Sequence, residues 1–431
     1  MRTRTLLQLM LALCATFSLP AYSASQKQTL EGSAAITPAD TPAEQAYQRA
    51  LKSLAGGKLK AADQAFQEAL KLDPRSAKAM LGLAEIAFRN KQLEEAGKWI
   101  RRAVETEPGN GDAQASLGRH LAIQGKSSEA EAVLKKAAEL DSKAVRPRMD
   151  LGDMLSAQGR LPEAVKFYQQ ALAINPQHAG AHYALGVALA RQGNYAGAQA
   201  ELEKAVSLEA GNPLPHLAMA RVYASQNNID KALLALEKVL ALQPSLVEAL
   251  LLQGDLLDAR NQTVEATAAY QKAAKAAPKL ALPHLKTAMM AHRKGQTEAA
   301  IASYKKVIEL DPKQSIAYNN LAAIALEHKH DLAQAEKWAR KAVELGPDNA
   351  NYHDTLGQLE FARNNVNGAL AALQKAAQLE PNNPEIQYHL GMVYAKTGDK
   401  AKASEALKRA LSASSNFPSS AEAKNLLKTL N

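Results

Sequence analysis

The stretch Val145–His178, VRPRMDLGDMLSAQGRLPEAVKFYQQALAINPQH, constrains the whole chain because it is repeated along it. It carries two short helical patterns, a turn at Gly159 and a stop at Pro176. A 34-residue ruler laid on Val145 finds units beginning at Ala43, Ala77, Gly111, Val145, Ala179, Pro213, Val247, Ala281 and Ser315. After one inserted residue the units continue at Ala350 and Pro384, which makes eleven. A period of this length builds an array of small supersecondary units, so the 431 residues count repeats rather than ordinary domains.

The columns of the repeat have physical reasons. The eighth position is Gly or Ala in every unit, Gly118, Gly152, Gly186 and Gly254 among them. The twentieth is Ala throughout, from Ala62 to Ala403, and the twenty-seventh is Ala except for Val239 and Val307. Small residues there let two helices approach closely, where a Leu would push the backbones apart. Leu151 and Leu185 at the seventh position, with Tyr168 and Tyr270 at the twenty-fourth, fill the gaps. Gly125, Gly159, Gly193, Gly295 and Gly398 permit a left-handed turn between the helices. A Pro such as Pro176 at the thirty-second position ends the second helix, because it cannot continue the hydrogen-bond ladder. The residues are 47% hydrophobic but only 5% aromatic, which suits closely packed helices better than a sandwich or barrel.

These columns resemble the tetratricopeptide repeat (TPR), and the resemblance runs over Ala43–Phe417. It implies an all-α fold, a right-handed superhelical solenoid of about eleven helix-turn-helix repeats. Two features depart from the family pattern. Arg49 stands where Leu is usual, and the fourth-position Trp is replaced by Tyr318 or by His182, His216, His284 and His353. Residues 418–431 are expected to form a C-terminal capping helix, with Ala421, Leu426, Leu427 and Leu430 toward the last unit and Lys424 and Lys428 outward.

Residues 1–23 have the order of a signal peptide: basic Arg2 and Arg4, an apolar stretch Leu6–Leu19, and small residues at Ala21 and Ser23. The apolar stretch is shorter than the roughly 20 residues of a spanning helix. Export to the periplasm or cell envelope is therefore expected. Cys14, the one cysteine, loosely resembles a lipobox cysteine, although Leu13 departs from that pattern, and a lipid at Cys14 is the one membrane link foreseen. Residues 24–42 are polar, small and aperiodic, and read as a disordered linker.

The sequence shows no Gly-rich phosphate loop, GxSxG or HExxH, so no enzyme activity, metal site or cofactor is expected. His328, Lys329, His330 and Asp331 read as a polar exposed loop at the insertion. Carboxylates such as Asp255 and Asp258 read as solvated faces. The net charge of +9 is spread without a basic run, which argues against nucleic acid.

The family resemblance places first-helix positions two, five, nine, twelve and thirteen on a concave groove. In the early units these give Tyr47, Lys78, Phe88, Arg89, Arg119, Arg146, Asp153 and Tyr183, a mixed charged and aromatic surface. In the late units they give Leu282, Leu285, Met289, Ile316, Asn319, Phe361, Tyr388 and Met392, a more apolar one. The expected partners are peptide segments or helices of proteins. A second reading is an anionic polysaccharide in the groove, and a third is an accessory subunit of an envelope enzyme. The late units ARKAVELGPDNANYHDTLG and NNPEIQYHLGMVYAKTGDKAKASEALKRAL resemble exported bacterial envelope repeat proteins of exopolysaccharide export or outer-membrane assembly.

Overall fold

The computed structural model describes residues 41–430. The signal peptide, Cys14 and nearly all of the linker lie outside the described residues. Every regular element among the described residues is an α-helix, and there are 23 of them. They fall into two compact units that divide at Lys238 and Val239.

In the first unit the hairpins pair Pro42–Ala55 with Leu59–Leu72, Ala77–Arg89 with Leu93–Thr106, and Gly111–Ile123 with Ser127–Leu140. Arg146–Ala157 pairs with Leu161–Ile174, Ala179–Arg191 with Tyr195–Leu208, and Pro213–Ser225 follows. The helix Ile229–Leu242 contains the division. In the second unit the pairs are Val247–Ala259 with Thr263–Ala276, Ala281–Arg293 with Thr297–Leu310, and Ser315–Glu327 with Leu332–Leu345. Ala350–Ala362 pairs with Val366–Leu379 and Pro384–Lys396 with Lys400–Ala413, before the last helix Ser420–Leu430. The first helix takes Pro42 from the expected linker, because the Thr41 hydroxyl caps it by accepting from the Glu44 N–H at 3.2 Å.

The eighth-position column has a direct cause. A Cβ on Gly152 would collide with the ring of Tyr168, one on Gly254 with the ring of Tyr270, and one on Gly186 with Leu202. The twenty-fourth side chain of the second helix lies flat on the small residue of the first. Ala164 is wholly buried beside Leu151, Leu155 and Tyr168 in one core of the first unit, and Ala171 is wholly buried as well. Fully burying each large apolar side chain contributes roughly 1.5–3 kcal/mol.

The hairpin turn is the same in every repeat, and glycine is not its only occupant. The fifteenth position has positive φ at Gly57, Gly125, Gly159, Gly193, Gly295 and Gly398, and also at Lys91, Asn227, Asn261, Lys329 and Asn364. The inserted residue of the ninth repeat is absorbed by Asp331, itself left-handed at φ 40°. Its carboxylate accepts from the Gln334 N–H at 3.1 Å and so caps the next helix. His328 and His330 beside it are exposed.

The fourth-position histidines have a structural task. Three of the four rings reach back to the carbonyl of the Pro that closes the preceding repeat: His182 to Pro176 at 2.9 Å, His284 to Pro278 at 3.1 Å, His353 to Pro347 at 2.8 Å. Gln114 and Gln387 do the same through Nε2, each at 2.9 Å, to Pro108 and Pro381. Carbonyls past a helix end have no helical partner, and these donors satisfy them while pinning one repeat to the next.

At the C-terminus Ala423, Leu426, Leu427 and Leu430 pack with Leu407, Ala410 and Phe417. Ala421, expected to face inward, is exposed instead. The reason is helical phase. Positions 423, 426, 427 and 430 lie on one stripe, and 421 falls off it.

Candidate functional site

First helices of successive repeats stand side by side within each unit, so their surface positions form rows. In the first unit the row begins at Tyr47, whose ring packs on Phe66 with centroids 5.7 Å apart. The Lys78 ammonium lies 4.7 Å above the Tyr47 ring and pairs with Glu44. Phe88 packs 6.1 Å from the His120 ring, and Arg89 bonds Glu85 at 2.8 Å. Arg119 donates to Asp150 Oδ2 at 3.3 Å with both side chains largely buried. Arg146 is half-buried on the next helix.

Asp153 lies further along this row. Tyr168 donates its hydroxyl to Asp153 Oδ1 at 2.8 Å. Asp153 is exposed to water, yet protein atoms crowd around it. That crowding pushes its carboxyl up to about 6; the Tyr168 hydrogen bond and Arg119 oppose the rise and Asp150 adds to it. Tyr183, half-buried on the following first helix, has its phenol pushed up by burial, with Arg221 opposing and Asp153 adding. Beside them Arg191 donates to the Ser156 carbonyl and hydroxyl, each at 2.9 Å. Arg119, Asp150, Asp153, Tyr168 and Tyr183 thus form one electrostatic group contributed by four helices.

In the second unit the row is less apolar than expected. Leu285 is only 5% exposed and belongs to the core with Ala288, Tyr304 and Leu321, so it is not presented to a partner. Tyr388 packs under the last helix. Phe361 is half-buried against Leu373 and Leu390, and Leu282 and Met392 are half-buried. Met289 and Ile316 remain open, at 38% and 40% exposure. Asn319 donates to Asn320 Oδ1 at 3.5 Å, and Asn320 donates to the Tyr304 hydroxyl at 2.8 Å. Asn319 Oδ1 is buried without a partner among the described residues.

The same unit contains a group that sequence reasoning passed over. Asp255 accepts from the Tyr270 hydroxyl at 2.6 Å and from Lys286 Nζ at 2.7 Å. Asp258 takes two bonds from Arg293, at 2.6 and 3.0 Å. These carboxylates are paired and partly buried, not solvated. The signal for them is in the ruler: an acid at the ninth position, Tyr at the twenty-fourth, and Lys at the sixth position of the next unit. Among the described residues no three His, Cys, Asp or Glu side chains are grouped to hold a metal ion. Also among them, no helix is long and apolar enough to cross a membrane.

Family models described as TPR repeat match residues 152–193, 290–328 and 357–398. Models described as tetratricopeptide repeat match 47–113, 100–145, 189–245 and 384–417. No curated protein matches the chain significantly. Among solved structures, the chain is similar to the APC/C hetero-tetramer Cut9-Hcn1, at 14% identity over 91% of this chain and 97% of that one, with a TM-score of 0.45. It is similar to pilF of Pseudomonas aeruginosa at 21% identity over 52% and 97%, TM-score 0.43. It is also similar to YrrB, a TPR protein with an unusual peptide-binding site, at 23% identity over 43% and 95%, TM-score 0.35. With its repeat columns, its stacked helical hairpins and these repeat models matched along most of its length, the chain belongs to the tetratricopeptide repeat family.

Proposed function

We propose that the chain is a non-catalytic interaction scaffold that binds extended segments or helices of partner proteins along its first-helix face. The observation that carries this reading is the row from Tyr47 to Tyr183, where aromatic rings alternate with Lys78, Arg89, Arg119 and Asp153 on successive helices. Aromatic and Arg side chains held rigidly by packing are the usual anchors of protein interfaces.

The order of residues 1–23 supports placement in the bacterial periplasm or cell envelope. The late-repeat resemblance supports a role in exopolysaccharide export or outer-membrane assembly. Site-specific photo-crosslinkers test this reading. Placed at Met289 or Arg89 they should capture defined envelope proteins, and at Val264, which is 71% exposed on a second helix, they should not. Equal capture at all three positions, or none at any, would reject the face.

An anionic polysaccharide is the second reading, and basic Lys78, Arg89, Arg119 and Arg146 are what favours it. Binding of purified polymer that weakens steeply with salt would support it.

A further inference from the structure

Repeats three steps apart superimpose residue on residue, because the ruler is strict between them. Asp153 and Asp255 are equivalent, as are Tyr168 and Tyr270, Gly152 and Gly254, Arg191 and Arg293. Each acid takes a hydroxyl hydrogen bond from its tyrosine, at 2.8 and 2.6 Å. The difference lies on the next first helix. Lys286 covers Asp255, with Nζ 2.7 Å from Oδ1 and 5.8 Å from the centre of the Tyr270 ring. The equivalent of Lys286 is Ala184. Asp153 therefore has no ion-pair partner among the described residues and is exposed, whereas the Asp255 side chain is 17% exposed. Arg119 is near enough to influence Asp153 but bonds Asp150.

We propose that Asp153, Tyr168 and Tyr183 form a recognition subsite for one basic side chain, Lys or Arg, of an extended partner segment. The subsite presupposes that the first-helix face binds protein, and it names the chemistry recognised there. Lys286 shows within the same chain where the cation sits: on the carboxylate, beside the tyrosine ring. Ala184, with only a methyl group, supplies no such cation. Tyr183 replaces the buried Leu285 and adds a second ring against which an alkyl or guanidinium stem can lie.

Other occupants fit less well. One carboxylate and two phenols supply too few oxygens for a calcium ion, which takes six to eight. An anionic sugar would be repelled by Asp153. Non-specific attraction does not explain a cationic ligand either, since the chain carries a net charge of +9. Holding Asp153 ionised against crowding is relieved when a cation arrives. The affinity should accordingly weaken as pH falls through about 6, where Asp153 protonates among Arg119, Asp150, Tyr168 and Tyr183.

The test is selection of a random nonapeptide library on the full chain at pH 7.5. Recovered peptides should share one Lys or Arg position. Replacing that residue by norleucine should weaken binding about tenfold, some 1.4 kcal/mol. Asp153→Asn and Ala184→Lys, the latter supplying the missing cation internally, should each erase the preference. They should leave the norleucine peptide's affinity unchanged. Recovered peptides with no shared basic position, or a preference that survives both variants, would overturn the subsite while leaving the protein-binding face intact. Recovery of no peptide would reject the face and the subsite together.

Discussion

Repeats four and five in the first unit and repeats seven and eight in the second share a floor and differ in the lid. The floor is a glycine with a tyrosine ring lying on it and an acid one residue further along: Gly152, Tyr168 and Asp153, or Gly254, Tyr270 and Asp255. In the second unit Lys286 and Arg293 close over the acids at 2.7 and 2.6 Å. In the first, Ala184 is too short to close anything, and Arg191 bonds neutral oxygens of Ser156. One copy is self-satisfied and the other is left with an exposed carboxylate that no cation closes over. Since the scaffold is common, the contrast separates what a repeat needs in order to stack from what it can offer a partner.

The largest effect tests the shared floor. Gly152→Leu and Gly254→Leu should each destabilise the protein by about 1–3 kcal/mol in urea unfolding, because the new side chain must displace a buried tyrosine ring. Unchanged midpoints for both would break the packing account on which the comparison stands. Removing the lid comes next. Lys286→Ala should lose about 1–2 kcal/mol, since it strips a partly buried carboxylate of its charged hydrogen bond. It should also create in the second unit a new preference for a basic ligand side chain. A smaller effect separates the outer pair: Arg293→Ala should lower the melting temperature more than Arg191→Ala, because only Arg293 bonds a charged acceptor in two places.

Much of this architecture could be read from residue columns, because each column answers to one local contact. Gly152 and Ala164 announce close helix packing whatever surrounds them. The left-handed turn was only partly visible: glycines mark it in six repeats, Gly57 among them, but Lys91, Asn227 and Asn364 adopt it too, held there by the hairpin on either side. Surface rows were harder still. Leu285 and Met289 both read as groove residues, but the packing turns Leu285 into the core while Met289 stays outside. The histidines at the fourth position looked like packing residues until their Pro carbonyl partners came into view. Asp153 was legible as an accessible acid but not as an uncovered one. That property depends on Ala184, on the next repeat, at a position outside the expected groove set.

The contrast between a committed acid and an open one is tested most directly by the melting temperatures of Asp153→Asn and Asp255→Asn between pH 4 and 8. Asp153 has its carboxyl raised in the folded state from 3.8 to about 6, so its ionised form opposes folding above that range. The cost is fully present above pH 6 and disappears as pH falls toward 3.8. Asp153→Asn should therefore melt higher than wild type at pH 7.5 and converge with it near pH 4. Asp255→Asn should melt lower at pH 7.5, because Lys286 is left unpaired. Two variants that both melt lower at pH 7.5 would show that Asp153 is as structural as Asp255, and the contrast between the two sites would fall.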